Sequence, residues 1–180
     1  SQKEEAAAAT GIATANTGLK TGRSSLRPST KCPEKWIFEM IIPGLVSITF
    51  RKLSPDEIIS LVKKSGLKAI EWGGDVHVPH GNIAKAKEVG EKTRAAGLEV
   101  AAYGSYFKLG KSAEEGLDHR KVIDSAEALG TKIIRIWAGS KPSLEYSPEE
   151  RLLLAAEARE MAAAAAEKNI KIALEFHRNT

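Results

Sequence analysis

The chain has 180 residues, 42% apolar and 28% charged, enough for a packed domain of ordinary soluble character. Its one cysteine, Cys32, excludes an internal disulfide framework and a cysteine-based zinc site, and no apolar run approaches the ~20 residues of a membrane span. The net charge of +4 is shared equally between residues 1–40 and the remainder, without a Lys/Arg block or a basic stripe interleaved with aromatics. Nucleic acid is therefore not an expected partner, whereas small anionic substrates are compatible.

Residues 1–39 have no sustained apolar period, and 1–33 are rich in Ala, Thr, Ser and Gly. They are expected to form a disordered or non-native N-terminal extension, with Met40 as the natural start, because such a stretch cannot bury enough apolar surface to offset its ordering entropy. They also lack a basic start followed by an apolar stretch, so a cytoplasmic location is expected.

From Leu45 the pattern becomes regular. A first strand is expected over 45–50. Ser54-Pro55-Asp56-Glu57 forms a capping box with Pro at the first helical position, and Gly66 stops that helix. A second strand follows at 68–72, then a Gly-rich loop over 73–81, with Asn82 capping a helix that runs to 96 and stops at Gly97. The third strand is expected at 99–103, and a helix between 112 and 129, best formed over 117–129, ends at Gly130. The fourth strand covers 132–138. Ser147-Pro148-Glu149-Glu150 repeats the earlier cap and opens an Ala-rich helix to 168, followed by a fifth strand at 171–176. Five strands alternating with helices, without a hairpin signal, imply a parallel sheet with right-handed crossovers. The sheet is either open and doubly wound or part of a closed barrel.

Charges inside the strands favour the barrel. Strands covered on both faces normally run nearly continuously apolar, yet Glu71, Arg135 and Glu175 lie near the C-terminal ends of the second, fourth and fifth. Alternation puts Ala69 with Glu71 and Ala173 with Glu175 and His177 on one face, opposite Ile70, Trp72, Ile172 and Leu174. A small residue followed by a charge suits a narrow barrel interior that opens into a polar mouth, where barrel active sites sit. Arg135 either neutralises Glu71 or Glu175 in a structural pair or serves the substrate. Glu71 is open to the same two roles, whereas the strand-end position of Glu175 beside inward-facing His177 points to function. His177 itself is a second ligand, a substrate donor or a satisfied polar residue at a strand end. His77 and His80 stand three apart, but in a Pro-containing loop this is not a metal signature. Neither a phosphate-binding Gly-x-x-x-x-Gly-Lys loop nor a Gly-x-Gly-x-x-Gly turn after the first strand is present.

The segments PGLVSITF (43–50), IEWGGDVHVP (70–79), IRIWAG (134–139) and ALEFH (173–177) together resemble bacterial sugar phosphate isomerases/epimerases of the xylose isomerase-like barrel superfamily. The resemblance covers about residues 40–180. It implies the first five units of a (β/α)₈ barrel, an α/β partial TIM barrel incomplete at its C-terminus. It also implies one divalent ion (Mn, Mg, Co or Zn), a sugar or sugar phosphate substrate, and proton transfer through an enediolate. Of the family's metal ligands only the strand-5 glutamate has a counterpart, Glu175, expected as ligand and acid/base, with Glu71, His77, Arg135, Trp137 and His177 at the substrate. Further expectations are a possible homo-oligomer, no membrane partner, and no turnover from this stretch alone. The rival readings are an endonuclease-like DNA-repair enzyme or an inosose dehydratase-like lyase on the same fold, and a non-catalytic sugar-binding barrel.

Overall fold

The computed structural model describes residues 41–175. The expected N-terminal extension, Cys32 and His177 lie outside them. The described chain forms a single five-stranded sheet of order β1 (Gly44–Val46), β2 (Ala69–Gly73), β3 (Glu99–Lys108), β4 (Ile133–Trp137) and β5 (Lys171–Glu175). Every neighbouring pair is parallel. Helices α1 (Pro55–Lys64), α2 (Ile83–Ala95), α3 (His119–Leu129) and α4 (Pro148–Ala166) make the crossovers. A sequential order with crossovers of one hand keeps all four helices on one face of the sheet. This is a partial TIM barrel.

The local signals for the helices are all used. Ser54 and Glu57 cap α1 reciprocally and Ser147 and Glu150 cap α4 in the same way, each with Pro in the first turn. Asn82 accepts from the Lys85 backbone N–H at the start of α2. The core lies between sheet and helices: Ile70, Trp72, Tyr103, Ile134 and Ile136 point toward Ile58, Val62, Val89, Val122, Leu129 and Met161, and all are fully buried. Trp72 also donates its indole N–H to Thr93 Oγ1 on α2 at 3.2 Å, so the ring is satisfied at both its apolar and its polar end.

Three element boundaries differ from expectation. The first strand stops at Val46, and Ser47–Phe50 turns into a 3₁₀ helix. The cause is Ser47, whose Oγ accepts the Gly73 N–H at 2.9 Å and bonds His77 Nδ1 at 2.9 Å, pulling the chain across the strand ends. The third strand runs on to Lys108 and breaks register with β4 between Gly104 and Lys108. The third helix starts at His119, capped by Asp118, because Gly116 turns with φ +84 just before it.

Candidate functional site

Glu71, Arg135, Trp137 and Glu175 converge at the C-terminal strand ends. They line an open cavity of about 550 Å³ together with Val46, Ile48, Thr49 and Tyr106. Cross-strand register explains the convergence: Glu71 pairs with Ala102, Arg135 with Gly104 and Ala173, and Glu175 with Trp137, so each charge lies two residues beyond the register partner of the one before it, on the same face, and the three form a diagonal row across the sheet. Arg135 Nε donates to Glu71 Oε1 at 2.8 Å, its Nη2 lies 2.7 Å from the same oxygen, and its Nη1 donates to Glu175 Oε2. Trp137 Nε1 donates to that Glu175 oxygen at 2.6 Å. The guanidinium thus bridges the two carboxylates and aims Glu175 into the cavity. A Cβ at Gly104 would come within 2.6 Å of both Arg135 Nη2 and Glu71 Oε1, so the bare β3 backbone is what lets this pair lie across the sheet. Burial alone lowers the Arg135 pKa, but hydrogen bonding to Glu71 and the charges of both glutamates outweigh it and hold it above the ordinary value.

Of the six residues expected at the site, four are brought together. His177 lies outside the described residues. His77 is not at the mouth: its ring is buried, only 4% exposed, and lies edge-on to Trp72. The Leu53 carbonyl can only accept, so His77 Nε2–H donates to it at 3.2 Å; Nδ1 of the neutral ring is then the acceptor and takes the Ser47 hydroxyl proton, while Ser47 Oγ accepts the Gly73 N–H. The neutral imidazole therefore ties the β1–α1 turn to the β2–α2 loop, and Arg51 with Asp75 (2.5 Å) adds a second tie. His77 supports Ile48 and Thr49, which line the cavity, rather than facing it. His80 is likewise engaged, its Nδ1 2.8 Å from the Tyr103 hydroxyl, which donates onward to the Val78 carbonyl.

Desolvation by burial lowers the pKa of both histidines below the ordinary 6.5. The unfolded chain then binds more protons than the folded one in this range. The histidines' contribution to stability is present above about pH 6.5 and is lost as pH falls toward the folded values. The urea midpoint is expected to be lower at about pH 5.5 than at about pH 7.5, and His77→Gln should shrink the difference. Equal midpoints for the parent chain would count against this arrangement.

Tyr106, Ile48 and Thr49 were not anticipated from sequence. Each reaches the cavity through an irregular backbone, the 3₁₀ turn or the break in β3, and neither leaves a periodic trace in the chain.

Among the described residues no three Asp, Glu, His or Cys side chains converge on one point. A divalent ion ordinarily takes three or four protein ligands, and both carboxylates here are engaged by Arg135. The described residues of this group do not by themselves fit a metal ion.

Parallel βα units with a polar constellation across the C-terminal strand ends define a barrel-type binding or catalytic domain. The sequence model of the xylose isomerase-like TIM barrel matches residues 59–180, and the chain belongs to that family. No curated protein matches the chain. Among solved structures, it resembles the probable 3-DHS dehydratase AsbF involved in petrobactin synthesis from Bacillus anthracis, at 24% identity and TM-score 0.66 over 78% of this chain and 54% of that one. It also resembles a xylose isomerase domain protein from Planctomyces limnophilus, at 16% identity and TM-score 0.57 over 77% and 55%. A third is the IOLI protein, solved with a bound zinc atom, at 15% identity and TM-score 0.60 over 74% and 51%. The alignments cover about half of each of these solved chains, and at these identities they show the fold alone. Among the described residues no helix is long and apolar enough to cross a membrane.

Proposed function

We propose that this chain carries the substrate-binding and proton-transfer carboxylate side of a sugar isomerase or epimerase. The reading is supported by Glu175, a carboxylate at a strand end whose Oε2 is held by both Arg135 and Trp137 in the open mouth. Both bonds fall on Oε2, which leaves Oε1 as the oxygen suited to take a proton from a carbon beside a ketose carbonyl. The electron pair of that C–H bond passes into an enediolate, and the proton returns to the neighbouring carbon in isomerisation or to the opposite face of the same carbon in epimerisation. Arg135 fixes the carboxylate's orientation, and Trp137 offers an apolar surface to the sugar's C–H face. Two carboxylates and one guanidinium leave this group with one net negative formal charge, which suits a neutral polyol better than a phosphate at this point. In a complete family member Glu175 would be a metal ligand contributed by this stretch.

The test is D-fructose binding to this chain, followed by the indole N–H resonance of Trp137 and assigned with Trp137→Phe. A saturable shift that Glu175→Gln weakens supports the reading. No shift overturns it. Divalent-metal titration is expected to give neither tight stoichiometric binding nor epimerisation; binding with turnover would show that this stretch already holds a complete site. Saturable sugar binding by a completed family barrel that gives no solvent deuterium exchange into the ketose would favour the non-catalytic sugar-binding alternative.

A further inference from the structure

We propose that Tyr106 is a ligand-contacting residue, and that the irregularity in β3 is built to deliver it to the mouth. Between the Gly104–Arg135 and Lys108–Trp137 pairs, β3 advances four residues while β4 advances two. The two surplus residues make a β-bulge, a device that re-aims a side chain at the rim of a barrel. Within it Tyr106 has φ +59, a left-handed backbone that a bulky L-residue adopts only at a cost. The bulge is stitched in place. Ser105 Oγ donates to the Arg135 carbonyl at 2.8 Å and accepts the Phe107 N–H at 3.2 Å, replacing ladder bonds that the extra residues interrupt. Phe107, next in line, is fully buried on the core side, which anchors the bulge from behind.

This backbone places the Tyr106 ring in the cavity wall. The ring meets Trp137 edge-on at 5.6 Å, and the Arg135 guanidinium carbon lies 5.6 Å from its centroid. Two aromatic planes at 61° therefore form a corner beside the Glu71–Arg135–Glu175 row. Such a corner takes a compact ring or chain bearing both C–H faces and hydroxyls: the rings cover the C–H face and the carboxylates meet the hydroxyls. A residue needed only for the turn would be served better by Gly or Asn. The inference rests on the sugar-binding reading above and names the wall that recognises the sugar.

Two measurements on the full chain test it. In urea unfolding, Tyr106→Gly and Tyr106→Ala lose the same ring but differ in backbone freedom. Tyr106→Gly is expected to unfold at the higher urea concentration, and an equal or higher midpoint for Tyr106→Ala would overturn the strained bulge. In D-fructose titrations read at the Trp137 indole, Tyr106→Ala should weaken binding about tenfold, the order expected for loss of one aromatic wall, and Tyr106→Phe by only a few-fold. Unchanged binding by Tyr106→Ala overturns the role of Tyr106 and leaves the sugar-binding reading standing. Absence of any response from the parent chain overturns both.

Discussion

Replacing Arg135 by Met should destabilise the chain by about 2–3 kcal/mol, seen as a lower urea midpoint with an unchanged slope. The substitution preserves length and apolar stem but leaves Glu71 and Glu175 without the cation between them. Side-chain exposure is 18% for Arg135, 17% for Glu71 and 33% for Glu175, so the group is largely withdrawn from water. Removing one partner of a fully buried pair costs about 3–5 kcal/mol, while an exposed pair is worth about 0–1; the open mouth places this case between them. Adding Glu71→Gln to the Arg135→Met chain should recover part of the loss, because one of the two stranded charges is then gone. Arg135→Lys should fall between, since an ammonium cannot span both carboxylates as the planar fork does. A loss below about 0.5 kcal/mol for Arg135→Met would place the triad among surface pairs and remove the argument that it aims Glu175.

Gly90→Ala should cost about 2 kcal/mol net, although Ala is the better helix former. Gly90 faces the end of α3, and a Cβ there would overlap the Leu129 carbonyl oxygen and come within 2.9 Å of its carbon. The obstacle is backbone rather than a flexible side chain, so α2 must move away from α3. That motion strains the Arg94 Nη1–Leu129 carbonyl bond (2.9 Å) and the Trp72–Thr93 bond. Overpacking of this kind costs about 3 kcal/mol at the upper end of the usual range, and the gain in helix propensity returns about 1 kcal/mol. Thermal unfolding of the variant measures the difference. A Tm equal to or above the parent's would show that the two helices have room between them.

Much of the architecture was legible along the chain because its signals are local. The two Ser-Pro-acid-Glu caps, Asn82 and the glycines after the first three helices (Gly66, Gly97 and Gly130) act within a few residues, and each lies where it was expected. The small-then-charged alternation in the second and fifth strands likewise placed Glu71 and Glu175 on the face away from the helices, since side chains on a strand alternate by simple geometry. The sequence left open whether Arg135 would pair with Glu71 or with Glu175; the structure has it bonded to both.

What the sequence by itself determined is the succession of parallel βα units and the inward direction of the strand charges, both consequences of short-range periodicity and capping. Only the tertiary structure decided the rest. His77 was drawn into a buried tie with Ser47 and Leu53, because a hydrogen bond across 30 residues leaves no trace in local composition. The first strand gave way to a 3₁₀ turn through the same Ser47. Tyr106 reached the mouth through a bulge whose stitching, from Ser105 to the Arg135 carbonyl, spans 30 residues. Each is set by partners that meet only when the strands are already side by side, a long-range condition that chain periodicity does not encode.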